Sequence, residues 1–320
     1  MRSIFLLFLL LFYSADSSGE EFFILGGAAK DNDSDDMTYA WQLEYQESLG
    51  ESFAASISYL NEGHVTNHHR DGNSMQLWGK THLLKHRLSL AAGIGPFLYF
   101  DTTSSGNGNE YVNDHGLQGI LSVSATWHYR DNWLFQIRTN WVGGVSGFDT
   151  VSVITGLGYQ LEAPLRAPKA ADSKTKPSEN EVTLFIGETI MNSFKSESSL
   201  ASGIEYRQTL ADHLDFSIGW LNEGNNGKLH RNGISTELWM VNDFLADKLS
   251  LGIGAGLYVT FHHDNFIPDR ISHKPLAAIM TMSAGYRLNT IWGVRTSWNR
   301  IITDYDKDSD VILGGISLCF

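Results

Sequence analysis

Leu88-Ser89-Leu90-Ala91-Ala92-Gly93-Ile94-Gly95-Pro96-Phe97-Leu98-Tyr99-Phe100 alternates residue by residue. Leu88, Leu90, Ala92, Ile94, Pro96, Leu98 and Phe100 form one apolar face, and Ser89, Ala91, Gly93, Gly95, Phe97 and Tyr99 form the other. A period of two puts successive side chains on opposite faces of a strand. Leu249 to Phe261 repeats the pattern, with Gly254 and Gly256 at the places of Gly93 and Gly95. A run of this length exceeds the ~5–6 residues of an ordinary globular strand and suffices for a tilted membrane crossing of ~9–11 residues.

The recurrence extends along the whole chain. Leu60-Asn61-Glu62-Gly63 returns as Leu221-Asn222-Glu223-Gly224, His69-Arg70-Asp71-Gly72 as His230-Arg231-Asn232-Gly233, Glu44-Tyr45 as Glu205-Tyr206, and Trp78 as Trp239. This is one module written twice, with a domain-sized period. Alternation marks eight segments per copy. The first copy places them near residues 21–29, 37–48, 51–62, 73–84, 86–101, 116–129, 132–143 and 149–161. The second places them near 181–192, 198–210, 213–224, 234–245, 247–262, 273–288, 291–302 and 308–320. Tight turns at Ser48–Glu51, Lys85-His86 and Arg130-Asp131 alternate with long polar loops, expected at Asn61–Gly72 and Asp101–His115. Such sorting of connections is the habit of outer-membrane barrels more than of β-sandwiches.

The fold expected is therefore all-β: a transmembrane antiparallel β-barrel protein with two tandem eight-stranded barrels. One sixteen-stranded barrel is the alternative. Residues 20–161 form the first barrel and 181–320 the second. Residues 162–180, rich in Pro, Lys and Ser, form a flexible periplasmic linker. Large residues facing glycines suggest interiors filled by side chains, as eight strands allow. Residues 1–19 read as a signal peptide: Arg2, an apolar core Ile4–Phe12, then small residues.

Composition narrows the function. The net charge is −13 with no basic tract, which argues against nucleic acid. Cys319 is the single cysteine, so no intrachain disulfide forms. No nucleotide loop, thiol pair or Gly-x-Ser-x-Gly elbow occurs, and no cofactor, metal site or catalytic residue is assigned. The location expected is the outer membrane of a Gram-negative-type envelope. The partners expected are outer-membrane lipid, lipopolysaccharide, and the barrel assembly machinery acting on terminal Phe320.

In this register Glu44 and Glu205 face inward on the second strand of each copy, and Arg138 and Arg295 on the seventh. Buried charge is costly unless paired, so interior pairs Glu44–Arg138 and Glu205–Arg295 are expected, joined by Glu62 or Glu223 near the outer rim. His64, His68, His69, Arg70, His230 and Arg231 are expected on outer loops. Trp41, Trp78, Trp133, Trp141, Trp220, Trp239, Trp292 and Trp298 are expected mostly in interfacial girdles.

The Gly-x-Gly fifth strand and the frames Arg138-Thr139-Asn140-Trp141 and Arg295-Thr296-Ser297-Trp298 make each half resemble the eight-stranded lipid A 3-O-deacylase (acyloxyacyl hydrolase-like) type. That resemblance implies a membrane-facing His-x-Ser pair after the Arg and a carboxylate on the last strand. Here the His position is Trp141 or Trp298 and the Ser position Gly143 or Arg300, with Asp310 near the carboxylate. Neither copy carries the nucleophile and base that such acyl-ester cleavage needs. The function expected is a non-enzymatic integral outer-membrane protein. A lipid A-modifying hydrolase with a rearranged site and a porin-like channel are the alternatives.

Overall fold

The computed structural model describes residues 19–32, 34–65, 67–104, 111–129, 132–144, 149–162, 180–227, 229–245, 247–262 and 275–320. The signal segment and the interior of the linker lie outside these residues. His263 and Asp264 lie outside them as well.

The first barrel comprises β1 (Glu20–Asp31), β2 (Met37–Ser48), β3 (Phe53–Val65), β4 (His68–Leu83), β5 (Leu88–Ser104), β6 (Tyr111–His128), β7 (Trp133–Gly143) and β8 (Thr150–Glu162). The second comprises β9 (Asn180–Met191), β10 (Ser198–Ala211), β11 (Leu214–Asn225), β12 (His230–Phe244), β13 (Leu249–His262), β14 (Leu276–Arg287), β15 (Trp292–Ile302) and β16 (Ser309–Cys319). Closure decides between one ring and two. β8 pairs antiparallel with β1, for example Leu157 with Ile24, and β16 pairs with β9, for example Gly314 with Ile186. Each set of eight therefore forms its own closed barrel. The chain divides into two compact units at residue 172.

Polarity is inverted relative to a water-soluble protein. Ile24, Ile94, Leu121, Ile137 and Val153 project outward and exposed from the first barrel, as do Leu184, Ile186, Ile204, Leu257 and Ile316 from the second. Glu44, Arg138, Gln42 and Asn140 lie buried inside the first barrel, and Glu223, Arg231 and Glu237 inside the second. Outward alternation of this kind is what a lipid-facing wall requires. Aromatic residues gather at the end with the short turns, where Trp133 meets Tyr159 edge-on (5.4 Å) and Tyr129 meets Phe135 (6.1 Å). The tight turn between β4 and β5 holds Leu84, Lys85 and His86 at φ 52, 56 and 64. Left-handed backbone costs an L-residue with a side chain roughly 1–2 kcal/mol.

At the opposite end the strands outrun the sequence reading. β3 continues to Val65 and β4 starts at His68, so the long loop expected over Asn61–Gly72 is a paired hairpin. Asp101–His115 likewise lies mostly in strand, since β5 runs to Ser104 and β6 begins at Tyr111. Polar residues here still satisfy their backbone by pairing, as in Arg70 with Asp101 and Asp101 with Asp114, while standing clear of the apolar wall.

Candidate functional site

Both lumens are filled by stacked layers of side chains. Toward the turn end of the first barrel, Arg138 donates through both terminal nitrogens to the two oxygens of Glu44. Arg138 lies over the Trp78 ring (4.6 Å), and Trp78 donates to Ser56 (2.8 Å). A Cβ added at Gly93 would sit 2.6 Å from that ring. Trp78 and its counterpart Trp239 are interior residues, not girdle residues. They belong to the inward register of β4 and β12, where Gly93 and Gly254 make room for an indole. Above this layer runs a neutral network: Gln42 donates to Ser58 (2.9 Å), Asn140 to Gln42 (3.0 Å), Gln76 to Ser122 (2.9 Å) and Ser122 to Asn140 (2.7 Å). Leu60, Phe97, Ile120 and Val142 then form an apolar plug.

The second barrel changes the lower layer. Arg295 donates to Glu205 (2.6 Å) and lies 3.1 Å from Glu181. The residue over the Trp239 ring is Arg207 (3.7 Å), from β10. Arg207 and Glu237 occupy the places of Gln46 and Gln76 in the first barrel. Its apolar plug contains Phe185, Leu221, Tyr258, Ile279 and Leu313.

The doubled motifs form the outermost layer. In Leu60-Asn61-Glu62-Gly63 each residue has a separate task. Leu60 packs into the plug. Asn61 accepts the Gly63 N–H through its side chain (2.9 Å), and Gly63 takes φ 67 where the pairing shifts between Asn61 and His64. That is a β-bulge, which a glycine tolerates without the Cβ penalty. Glu62 points inward and accepts from Arg70 Nε (2.5 Å) and from Thr150. Arg70 also donates to Thr150 (2.6 Å) and Gln118 (3.0 Å). Gly72 follows because a Cβ there would meet Phe97 at 2.6 Å.

The second copy repeats this closely. Gly224 takes φ 75 and donates to Asn222 (3.1 Å). Arg231 donates to Glu223 through Nε (2.5 Å) and Nη2 (2.7 Å), and Ser309 donates to Glu223 (2.6 Å). Arg231 reaches Tyr305 (3.0 Å) and the Lys307 carbonyl (3.2 Å) as well. Burial pushes the Tyr305 hydroxyl above its ordinary pKa, which keeps it neutral.

Two expectations are corrected here. Arg70 and Arg231 are not on outer loops: both lie inside, on strands, because the bulge returns β4 and β12 to the barrel with the Arg facing Glu62 or Glu223. Glu62 and Glu223 do not join the Glu44–Arg138 and Glu205–Arg295 layers, because each has its own arginine beyond the apolar plug. Of the hairpin histidines, His64 and His230 are exposed, and the His69 ring stacks on His64 (4.0 Å). His68 Nδ1 lies 2.8 Å from Asp101, a hydrogen bond that raises its pKa above the ordinary histidine value.

In the outward register of β15 and β16, Trp298, Arg300 and Asp310 form one cluster in which Arg300 is buried. Asp310 accepts from Arg300 (2.7 Å) and Trp298 (2.9 Å).

No family model and no curated relative matches the sequence. Solved structures similar to it are outer-membrane barrels. The N-terminal β-barrel domain of Pseudomonas aeruginosa OprF is 11% identical, covering 45% of this chain and 99% of that one, with a TM-score of 0.36. The NanC porin is 9% identical over 93% of this chain and 100% of that one (TM-score 0.22). The Ralstonia pickettii toluene transporter TbuX is 8% identical over 95% and 88% (TM-score 0.26). At these values the architecture rests on the chain's own strand pairing.

Proposed function

We propose that this chain is a non-enzymatic integral outer-membrane protein, built as two plugged barrels whose loop ends meet lipopolysaccharide or an extracellular partner. The observation that carries this reading is the inverted polarity. Exposed Ile24, Ile94, Leu184 and Ile186 form part of an apolar wall around a charged interior. In water so large an apolar surface would drive aggregation; in a bilayer it is solvated. The Glu62–Arg70 and Glu223–Arg231 layers, with the apolar plugs beneath them, oppose a porin-like reading because their side chains meet partners from other strands across the lumen. The exposed His64 and His230 at the hairpin tips support contact with groups beyond the membrane. Kinship with the lipid A 3-O-deacylase type belongs to the same proposal as shared architecture, without its ester-cleaving pair.

Expression in a Gram-negative host tests the location. The protein is expected in the outer-membrane fraction and to migrate differently on SDS gels with and without boiling. Recovery as a soluble periplasmic protein would refute the reading. Fatty acid released from lipid A by the purified protein, and lost on changing Asp310 or Arg300, would establish the hydrolase instead.

A further inference from the structure

The bulge at Gly63 brings two imidazoles together at the tip of the β3–β4 hairpin. His64 and His69 are directly opposed in the pairing register. Opposed residues hold their Cβ atoms ~4.5–5.5 Å apart. The two rings stack with centroids 4.0 Å apart and planes inclined by 26°. Tyr39 meets His64 edge-on at 6.2 Å. The His64 backbone N–H donates to Thr38 Oγ1 (2.9 Å), which ties the tip to β2.

The hydrogen bonds fix the state of both rings. Gly63 N–H donates to Asn61 Oδ1 (2.9 Å), which sets the orientation of that amide. Asn61 Nδ2 therefore faces His69 Nε2, at 3.4 Å. An amide nitrogen only donates, so His69 Nε2 is an acceptor and carries a lone pair. His64 is exposed, and the part of it that is covered lowers its pKa below the ordinary histidine value through desolvation, which keeps it neutral at pH 7. Two neutral imidazoles side by side are the ligand set of copper, nickel and zinc.

The spacing fits one shared ion. Bonds of ~2.0–2.1 Å to two imidazoles at a right angle hold the ring centroids roughly 4.5 Å apart. The observed stack reaches this by opening roughly 0.5 Å and turning about χ2, a torsion with broad minima. His68 takes no part, since its Nδ1 lies 2.8 Å from Asp101. Among the described residues no group of three His, Cys, Asp or Glu side chains is placed to hold a metal, so water completes the coordination. The second copy lacks the pair, with Asn225 opposite His230.

We propose that His64 and His69 form a two-imidazole binding site for a divalent transition metal, with Cu²⁺ bound more tightly than Zn²⁺. The order follows the general affinity of nitrogen sites for first-row divalent metals. Mg²⁺ and Ca²⁺, which take oxygen ligands, do not suit it. The site goes beyond the outer-membrane reading and stands independently of it.

The test is a Cu²⁺ titration of the purified full chain in detergent, prepared without a histidine tag and followed by electron paramagnetic resonance. A tight Cu²⁺ signal split by two imidazole nitrogens is expected, with Zn²⁺ displacing the copper only in excess. His64→Asn writes the arrangement of the second copy into the first; it should weaken binding about tenfold or more and remove one nitrogen from the signal. His69→Gln should do the same, so a folding defect in either variant, seen as lost heat-modifiable migration, leaves the other to decide. His86→Asn and His230→Asn, at exposed histidines away from the pair, should leave the signal unchanged. Absence of tight Cu²⁺ binding, unchanged affinity in a folded His64→Asn or His69→Gln variant, or loss of the signal in His86→Asn or His230→Asn would overturn the site.

Discussion

Replacing Glu223 with Gln is the most demanding perturbation of the outer layer. Glu223 and Arg231 are each 0% exposed. The carboxylate accepts from Arg231 Nε (2.5 Å), Arg231 Nη2 (2.7 Å) and Ser309 Oγ (2.6 Å). Three hydrogen bonds to a charged group, at roughly 1.5–3 kcal/mol each, bound the loss from above. The amide keeps the volume but turns one acceptor into a donor facing guanidinium donors. It leaves Arg231 with one neutral amide oxygen besides the Tyr305 hydroxyl, Ser309 and the Lys307 carbonyl, and no counter-charge among these partners. Breaking a buried pair from one side costs ~3–5 kcal/mol, which we take as the expected destabilisation of the second barrel. At ~1.4 kcal/mol per factor of ten, local opening should rise by roughly two to three and a half decades. Hydrogen exchange of the protein in lipid nanodiscs reads this directly, with peptides from β11, β12 and β16 exchanging faster and those from β1 to β8 unchanged. The double change Glu223→Leu with Arg231→Met should recover most of the loss, because an apolar replacement leaves no orphaned charge. A loss below about 0.5 kcal/mol in Glu223→Gln, or a double variant no better than the single one, would refute the view that this pair locks the barrel.

Gly93→Ala and Gly254→Ala should each destabilise their barrel by about 1–3 kcal/mol, since the new methyl meets the Trp78 ring at 2.6 Å or the Trp239 ring at 2.7 Å; urea unfolding in vesicles followed by tryptophan fluorescence measures it. His86→Gly should raise stability by roughly 0.4–1 kcal/mol in the same assay by relieving the left-handed backbone at φ 64. The His68 pKa is raised chiefly by its hydrogen bond to Asp101, so this interaction contributes most below the ordinary histidine pKa and is lost as pH rises through the raised value. An NMR titration of the His68 ring should show a midpoint above that of unfolded histidine, falling in Asp101→Asn. Planar bilayers holding the purified protein should show no steady conductance steps, and large uniform steps would contradict the plugged lumens.

Period two made the strands legible, because one face of each lies against lipid and the other against a packed interior. Leu90 and Ile94 against Ser89 and Gly93 show it residue by residue. Inward positions of Glu44 and Arg138 followed from the same count. Arg70 and Arg231 escaped it because the pairing shifts after Asn61 and Asn222, so alternation counted from β3 stops at the bulge while the strand continues. The signal was present in the motif itself: an Asn-x-Gly for the turn, a Glu inward before it, and an Arg eight residues beyond that Glu. Trp78 and Trp239 looked like girdle residues because a tryptophan at a strand face fits either environment. Only their positions opposite Gly93 and Gly254 separate the two. Arg300 and Asp310 stand out only when the outward set of each strand is compared between copies, since each is unremarkable in its local sequence.

The central claim is that each copy closes on itself, and disulfide capture between first and last strands tests it most directly. In a Cys319→Ser background, Ile24→Cys with Leu157→Cys should cross-link rapidly in isolated outer membranes, as should Ile186→Cys with Gly314→Cys, because each pair is directly opposed across a strand pair. Cross-linking of Leu157→Cys with Ile186→Cys in place of those two pairs would join β8 to β9 and contradict two separate barrels.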